Sequence, residues 1–482
     1  MTEQTAWRQI LGASAAMAAV LTAASAGYGY HRDELYFRML PPSLGYVDQP
    51  ALAPWLARTM AGIVDEPWAL RLPATAAAAL SVIVMALITR ELGGDRRAQA
   101  LSAWGYAFAA APLILGHLLL TSTIDLLVLP AVAWFAIRAI RAPRWWLAVG
   151  GLVGAATWNR WVVVVLVAGL GLGILLTGPR RVLRSPWLWC GAALAAVVAA
   201  PNLAYQATHD WPQLSMGQAL AAGNADEVRV LMWPMLALLL GPPLMPIWIA
   251  GLWGIVRRDE WRDQRWIAVT FVVVVAFTFA GGAQVHYLMA ILPVLYAAGC
   301  VPVAGWVGAR RGRRALVVAG VGLNAMVSLV IALPVIPVES LGATPVTAMS
   351  PVVGDTVGWE AYVTQVAAVH RAAGGAEVPV LTTNYGEAGA LDRFGAAHGI
   401  TSVHSGHNAL WDLGPPPGDG GMVIVVGGQL DQVRSLFASC ELQGRLDNGL
   451  DVDNEEQGQP IALCRGLTRS WSEVWPQLRH LS

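Results

Sequence analysis

Apolar residues fill the first two thirds of the chain in long blocks closed by polar turns, whereas the last third alternates short strand-like and helix-like patterns. A helix crossing a bilayer's hydrocarbon core needs about 20 such residues. Blocks of that kind lie near residues 10–28, 72–92, 99–119, 124–140, 186–204, 231–256, 266–282, 287–308 and 315–337, and the stretch 145–178 is long enough for two. It divides at Trp158-Asn159-Arg160-Trp161, because an Asn-Arg pair is costly at mid-bilayer and 34 residues overfill one crossing. The pattern predicts a polytopic α-helical membrane protein with about 11 transmembrane helices over residues 1–337.

Arginine placement orients these spans. With the N-terminus inside, alternate loops hold 18 arginines, from Arg8 through Arg314, and the opposite loops before residue 338 hold six: Arg32, Arg38, Arg58, Arg71, Arg160 and Arg229. The positive-inside rule therefore predicts N-in/C-out. Arg8, the first apolar run and Ala24-Ser25-Ala26 also fit a cleavable signal peptide as well as an uncleaved anchor, and the later arginines fix the same orientation either way.

From residue 338 to 482 the pattern predicts a C-terminal extracytoplasmic α/β domain. Helices are expected near 357–373, 387–397 and 430–439, strands near 378–383, 400–404, 422–427 and 460–464, and a Gly- and Pro-rich loop over 413–421. The external loop 28–71 is dense in ionisable side chains, and its amphipathic stretch 51–64 suits a short helix lying along the interface.

Composition agrees: 56% of the 482 residues are hydrophobic and 13% charged, more apolar surface than one water-soluble core hides. Acidic and basic residues balance at 31 each, so no net charge draws the chain to nucleic acid. All the basic residues are Arg, which fits the codon usage of a GC-rich genome and requires no mechanism. Cys190 and Cys300 fall in apolar runs; Cys440 and Cys464, 24 apart in the polar part, either remain thiols or bridge if that part faces an oxidising compartment.

Asp33 and Glu34 follow the first span, where a carboxylate meets both water and headgroups. Such a group can take a proton from a hydroxyl, or simply remain a solvated acidic pair beside Arg32. Asp125, Arg160 and His286-Tyr287 also fall at or near outer helix ends. Ionisable groups at that level normally line a cavity, and an Arg and a His suit a phosphate; singly, each also reads as an interfacial anchor. Asn384 to Gly389 reads either as a phosphate-cradling turn or as an ordinary strand-to-helix turn with Glu387 in its first helical turn.

Tyr30-His31-Arg32-Asp33-Glu34-Leu35-Tyr36-Phe37, Gly45-Tyr46-Val47-Asp48-Gln49-Pro50, His286-Tyr287-Leu288, Asn384-Tyr385-Gly386-Glu387, Ser405-Gly406-His407-Asn408 and Val452-Asp453-Asn454-Glu455-Glu456, in that order, resemble glycosyltransferase family 39 over nearly the whole chain. This is the C-type membrane family of protein O-mannosyltransferases and aminoarabinose lipid A transferases, here in an actinobacterial-type branch. The resemblance implies a polyprenyl-phosphate-linked sugar donor and a glycan, glycolipid or protein acceptor at the plasma membrane. It implies Asp33 as general base with Glu34 beside it, His31, Arg32, Asp48 and Asp125 shaping the site, and Arg160, His286 and Tyr287 holding the donor phosphate. Acceptor or carbohydrate contacts are expected from Asn384, Tyr385, Glu387, His407, Asn408 and Trp411. No organic cofactor is implied, and a divalent metal is a candidate. Many relatives read Asp-His-Pro-Pro where this chain has Asp48-Gln49-Pro50-Ala51, which removes one metal or phosphate ligand, and Lys where it has Arg160.

Two other readings fit an apolar multi-span chain: a lipid or polysaccharide transporter or flippase, and a non-catalytic scaffold displaying the C-terminal domain. No repeat relates the two halves of the sequence, and the charges gather at one interface rather than at the midplane, which weighs against transport. The scaffold leaves the charged first loop unexplained.

Overall fold

The computed structural model describes residues 5–375 and 378–481. The chain forms two compact units, one of Met1–Ser25, Gln49–Leu52 and Arg71–Leu333, the other of Ala26–Asp48, Ala53–Leu70 and Pro334–Ser482. The second unit therefore gathers most of the loop 28–71 with the C-terminal part, whereas the sequence pattern groups that loop with residues 1–337.

The first unit is helical. Helices occupy each apolar block, among them Trp7–Ala24, Leu72–Glu91, Asp125–Arg141, Pro186–Thr208 and Arg311–Ala332, and the chain breaks between Trp146–Ala156 and Val162–Leu176 at the Asn159-Arg160 pair. Among the described residues three helices are long and apolar enough to cross a membrane, or five if two bent pairs count as one span each. The bends correct the sequence expectation. The 99–119 block turns by 54° between Arg96–Ala107 and Ala110–His117, and the 231–256 block by 70° at Gly241-Pro242-Pro243. Two prolines lack the N–H that would continue the ladder, Gly241 takes φ +98°, and Asn324 Nδ2 donates to the Leu240 carbonyl at 3.0 Å. The helix before this bend also begins earlier than expected, at Pro212, so that residues 212–230 are helical rather than loop.

Close backbone approach holds these helices together. A Cβ on Gly150 would run into the Gly191 backbone, and one on Gly251 into the backbone of Leu295 and Gly299. The glycines thus let these helices pack backbone to backbone.

The second unit is built on a five-stranded sheet of order β2-β1-β3-β5-β4, with β1 Val380–Thr382, β2 Val403–Ser405, β3 Met422–Val426, β4 Phe437–Arg445 and β5 Pro460–Leu467. β2, β1 and β3 run parallel; β5 is antiparallel to β3, and β4 to β5. Val423, Val425, Ala462, Trp471 and Trp475 are buried in one core on this sheet. The expected helix over 430–439 is corrected: only Leu430–Arg434 is helical, and β4 takes up the rest. Its pairing places Cys440 opposite Cys464, and the two form a disulfide. Closing a loop of that length stabilises the fold by about 3 kcal/mol on a chain-entropy estimate.

Candidate functional site

The first unit brings together the residues expected to hold the donor phosphate. Arg160 lies in the break before the Val162–Leu176 helix, and Asp125 opens the Asp125–Arg141 helix, where a negative charge suits the helix dipole. Asn159 Nδ2 donates to Asp125 Oδ1 at 2.8 Å and to the Thr121 carbonyl at 2.8 Å. The Arg160 guanidinium sits 3.9 Å from Asp125, contacts His286 Nε2 at 2.6 Å, donates to Gln284 Oε1 at 3.1 Å and lies 4.7 Å over the Tyr287 ring. A guanidinium only donates, so Nε2 accepts and the His286 proton is on Nδ1. Asp125, Arg160, His286 and Tyr287 line a cleft with about 10 Å³ of free volume, whose other walls include Leu126, Leu129, Met289 and Pro293. A phosphate enters only by displacing Arg160's present partners.

The second unit builds a different cluster around Asp33. His31 caps the Arg32–Met39 helix: its Nδ1 accepts from the Asp33 N–H at 3.1 Å, and Glu34 Oε2 accepts from the His31 N–H at 2.8 Å. Glu34 is fully buried in this capping box. Asp33, one residue earlier, is half-buried, and its Oδ1 accepts from the Tyr385 hydroxyl at 3.0 Å. Burial raises the Asp33 carboxyl above its ordinary range, against the opposing pull of Arg32 and of the Tyr385 hydrogen bond.

Tyr385 reaches Asp33 because two glycines let its helix, Tyr385–Phe394, lie against Arg32–Met39. A Cβ on Gly389 would stand 2.7 Å from the Leu35 carbonyl carbon, and one on Gly386 3.2 Å from the Arg32 Cβ. Asn384 caps that helix in a second box with Glu387, so the segment is a strand-to-helix turn whose first N–H groups are already satisfied. Arg32 is almost wholly buried; its guanidinium pairs with Glu455, stands 3.9 Å from Glu456 and lies 4.7 Å over the Tyr385 ring. His407 Nδ1 accepts from the Tyr385 N–H at 3.2 Å, and burial, His480 and Arg32 push its pKa down to about 2, so the ring is neutral. Asp355 stands 3.8 Å from His31, its pKa pushed up to about 7 by burial.

Asp48 accepts from the Tyr36 hydroxyl at 3.1 Å, and burial pushes its pKa up to about 7. The resemblance also admits a divalent metal. Gln49 stands beside Asp48 where relatives have His, and among the described residues no group of three or more His, Cys, Asp or Glu side chains is arranged to hold an ion. Trp411 lies apart from the Asp33 cluster in its bonding, exchanging hydrogen bonds of 2.9 and 3.0 Å with Trp475, and the Asn408 N–H donates to the His480 carbonyl at 3.0 Å. Glu455, Glu456, Asp355 and Gln284 received no role from the sequence. The first two were visible within Val452-Asp453-Asn454-Glu455-Glu456, but nothing in the chain tied that string to Arg32.

An acid on a short helix after the first apolar helix and an Arg-His contact between broken helices sit on a known framework. The chain has a glycosyltransferase family 39-like fold of the C type. The family model for dolichyl-phosphate-mannose-protein mannosyltransferase matches residues 48–205. The structure is similar to that of ArnT from Cupriavidus metallidurans bound to undecaprenyl phosphate, with TM-score 0.59 and 15% identity over 93% of this chain and 97% of that one. The apo form of the same enzyme gives TM-score 0.59 and 14% identity over 93% and 97%. The oligosaccharyltransferase AglB from Archaeoglobus fulgidus, in complex with an inhibitory peptide and a dolichol-phosphate, gives TM-score 0.48 and 12% identity over 81% of this chain and 64% of that one. Comparison with curated protein sequences gives no match.

Proposed function

We propose that the chain is a multi-pass plasma-membrane glycosyltransferase that moves a sugar from a polyprenyl-phosphate donor to an acceptor hydroxyl, with inversion at the anomeric carbon. The observation that carries this reading is Asp33: a half-buried carboxylate, oriented by the Tyr385 hydroxyl, in a chain whose fold resembles that of an enzyme solved with undecaprenyl phosphate. Asp33 accepts the proton of the attacking hydroxyl. The hydroxyl oxygen bonds to the anomeric carbon as the bond from that carbon to the phosphate oxygen breaks, and polyprenyl phosphate leaves with the electron pair. Arg160 compensates the charge that grows on this leaving group, exchanging its His286 and Gln284 contacts for phosphate oxygens. Tyr287 keeps the guanidinium over its ring. Glu34 positions Asp33 through the helix cap and does not itself take the proton.

In this reading the apolar blocks cross the membrane about 11 times, N-in/C-out, as the arginine asymmetry supports. Residues 1–337 form the transmembrane catalytic region with its external loop 28–71, and residues 338–482 lie outside the cytoplasm, where the Cys440–Cys464 disulfide is at home. Incubation of the full chain in lipid nanodiscs with a panel of polyprenyl-phosphate sugars and cell-envelope extract tests the reading. Release of free polyprenyl phosphate from at least one donor is expected. No release from any donor would overturn it and favour the transporter or scaffold.

A further inference from the structure

A crevice opens in the second unit at the carboxyl ends of the three parallel strands. β1 leads through the Tyr385–Phe394 helix to β2 on one side, while β3 pairs with β1 on the other, so the strand order reverses between β1 and β3. Open α/β sheets bind ligands at such a reversal, because the loops diverge there and leave a gap. The crevice has about 190 Å³ of free volume, room for one sugar ring rather than a nucleotide or a folded peptide segment. Thr383 and Asn384 after β1, His407 after β2 and Gln429 after β3 form its walls, with Gln459 from the segment entering β5 and the Arg32–Glu455 pair completing them.

Among the described residues no apolar side chain lines this space, so it offers a peptide no pocket for hydrophobic anchors. Its one guanidinium is already paired with Glu455 and stands near Glu456, and Glu387 adds a further carboxyl, so it offers an anion little. Planar amides remain. The Gln459 Nε2 donates to the Glu455 carbonyl at 3.0 Å, leaving its Oε1 to a ligand, and Gln429 uses its backbone N–H on Thr383 Oγ1 at 3.4 Å, leaving its side chain directed to no bond among the described residues. Gln429 leaves the end of β3 and Gln459 enters the start of β5, the paired neighbouring strand, so their amides stand side by side, suited to the paired donors and acceptors of vicinal hydroxyls.

We propose that this crevice is a carbohydrate subsite that receives a neutral, hydroxyl-rich sugar of the acceptor. The proposal deepens the transferase reading and rests on it for the word acceptor, since Arg32 forms one wall and Asp33 is the next residue on the same helix. The test uses the full chain in nanodiscs without donor. Neutral manno-, galacto- and arabino-oligosaccharides serve as probes, with inorganic phosphate and a Ser/Thr-rich peptide for comparison, and hydrogen exchange of the amides of residues 383–386 and 427–429 is the readout. At least one oligosaccharide is expected to slow exchange in both segments, and Gln429→Ala with Gln459→Ala, both partly exposed positions that leave the core intact, is expected to weaken that protection at least tenfold. Protection by phosphate or peptide in place of any saccharide, no protection at all, or undiminished saccharide protection in the double variant would overturn the subsite. Because donor is absent, saccharide protection without donor turnover elsewhere would sink the transferase reading alone, and turnover without protection would sink the subsite alone.

Discussion

In the proposed mechanism Asp33 takes the proton, and its neighbours pull its proton affinity in opposite directions. Burial raises its pKa, and Arg32 and the Tyr385 hydroxyl draw it back. A general base must be deprotonated, so activity rises with pH through a value above the ordinary carboxylate range. Tyr385→Phe removes a hydrogen bond that favours the carboxylate, so the acid limb of the kcat/KM profile moves about one unit to higher pH and kcat/KM on that limb falls about tenfold, the worth of one hydrogen bond to a charged group. A limb that stays in place while activity falls would mean that Tyr385 only supports packing. Asp33 itself was legible as a carboxylate beyond an apolar run. Its partner was not, since 352 residues separate it from Tyr385 and no local pattern records that distance. Glu34 reads from the sequence as a second acid beside Asp33, and the His31 N–H it accepts from adds a capping contact that no local pattern records.

The helices Arg32–Met39 and Tyr385–Phe394 position this chemistry through Gly386 and Gly389. Gly389→Ala puts a Cβ 2.7 Å from the Leu35 backbone, which cannot move aside as a flexible side chain would. Overpacking of this kind costs about 1–3 kcal/mol, so thermal melting drops and donor turnover drops with it. Gly444→Ala, where nothing lies within 4 Å, leaves both unchanged; equal behaviour of the two variants would refute the close-crossing account. Element positions in the first unit were readable because run length and Asn-Arg polarity mark helices and their break. The bend at Gly241-Pro242-Pro243 was masked by apolar residues on both sides, and β4 by a sequence whose apolar spacing also suits a helix until Cys440 pairs across to Cys464. Tertiary pairing overrode local preference there.

At the scale of the molecule, chain order and spatial grouping part company. Residues 26–48 and 53–70 join residues 334–482 in one compact unit, with Arg38 bonding Asp65 at 2.8 and 3.0 Å and Asp392 at 2.7 Å to tie the three segments together. The sequence could not reveal this, because ion pairs between loops leave no periodicity. It did reveal the two textures of the chain, through hydropathy and arginine asymmetry, and the ordered residue strings that resemble family 39. The family model covers residues 48–205, which hold Asp48, Asp125 and Arg160 but not Asp33 or Tyr385, so the base stands on geometry in the second unit and needs its own test. That test is the rate of polyprenyl-phosphate release by the full chain in nanodiscs, wild type against Asp33→Asn, with the donor that wild type consumes and melting curves to show that both are folded. The account predicts a fall of about 10²–10⁴-fold for Asp33→Asn, the range that loss of a general base produces. Release at the wild-type rate by a folded Asp33→Asn chain would contradict it.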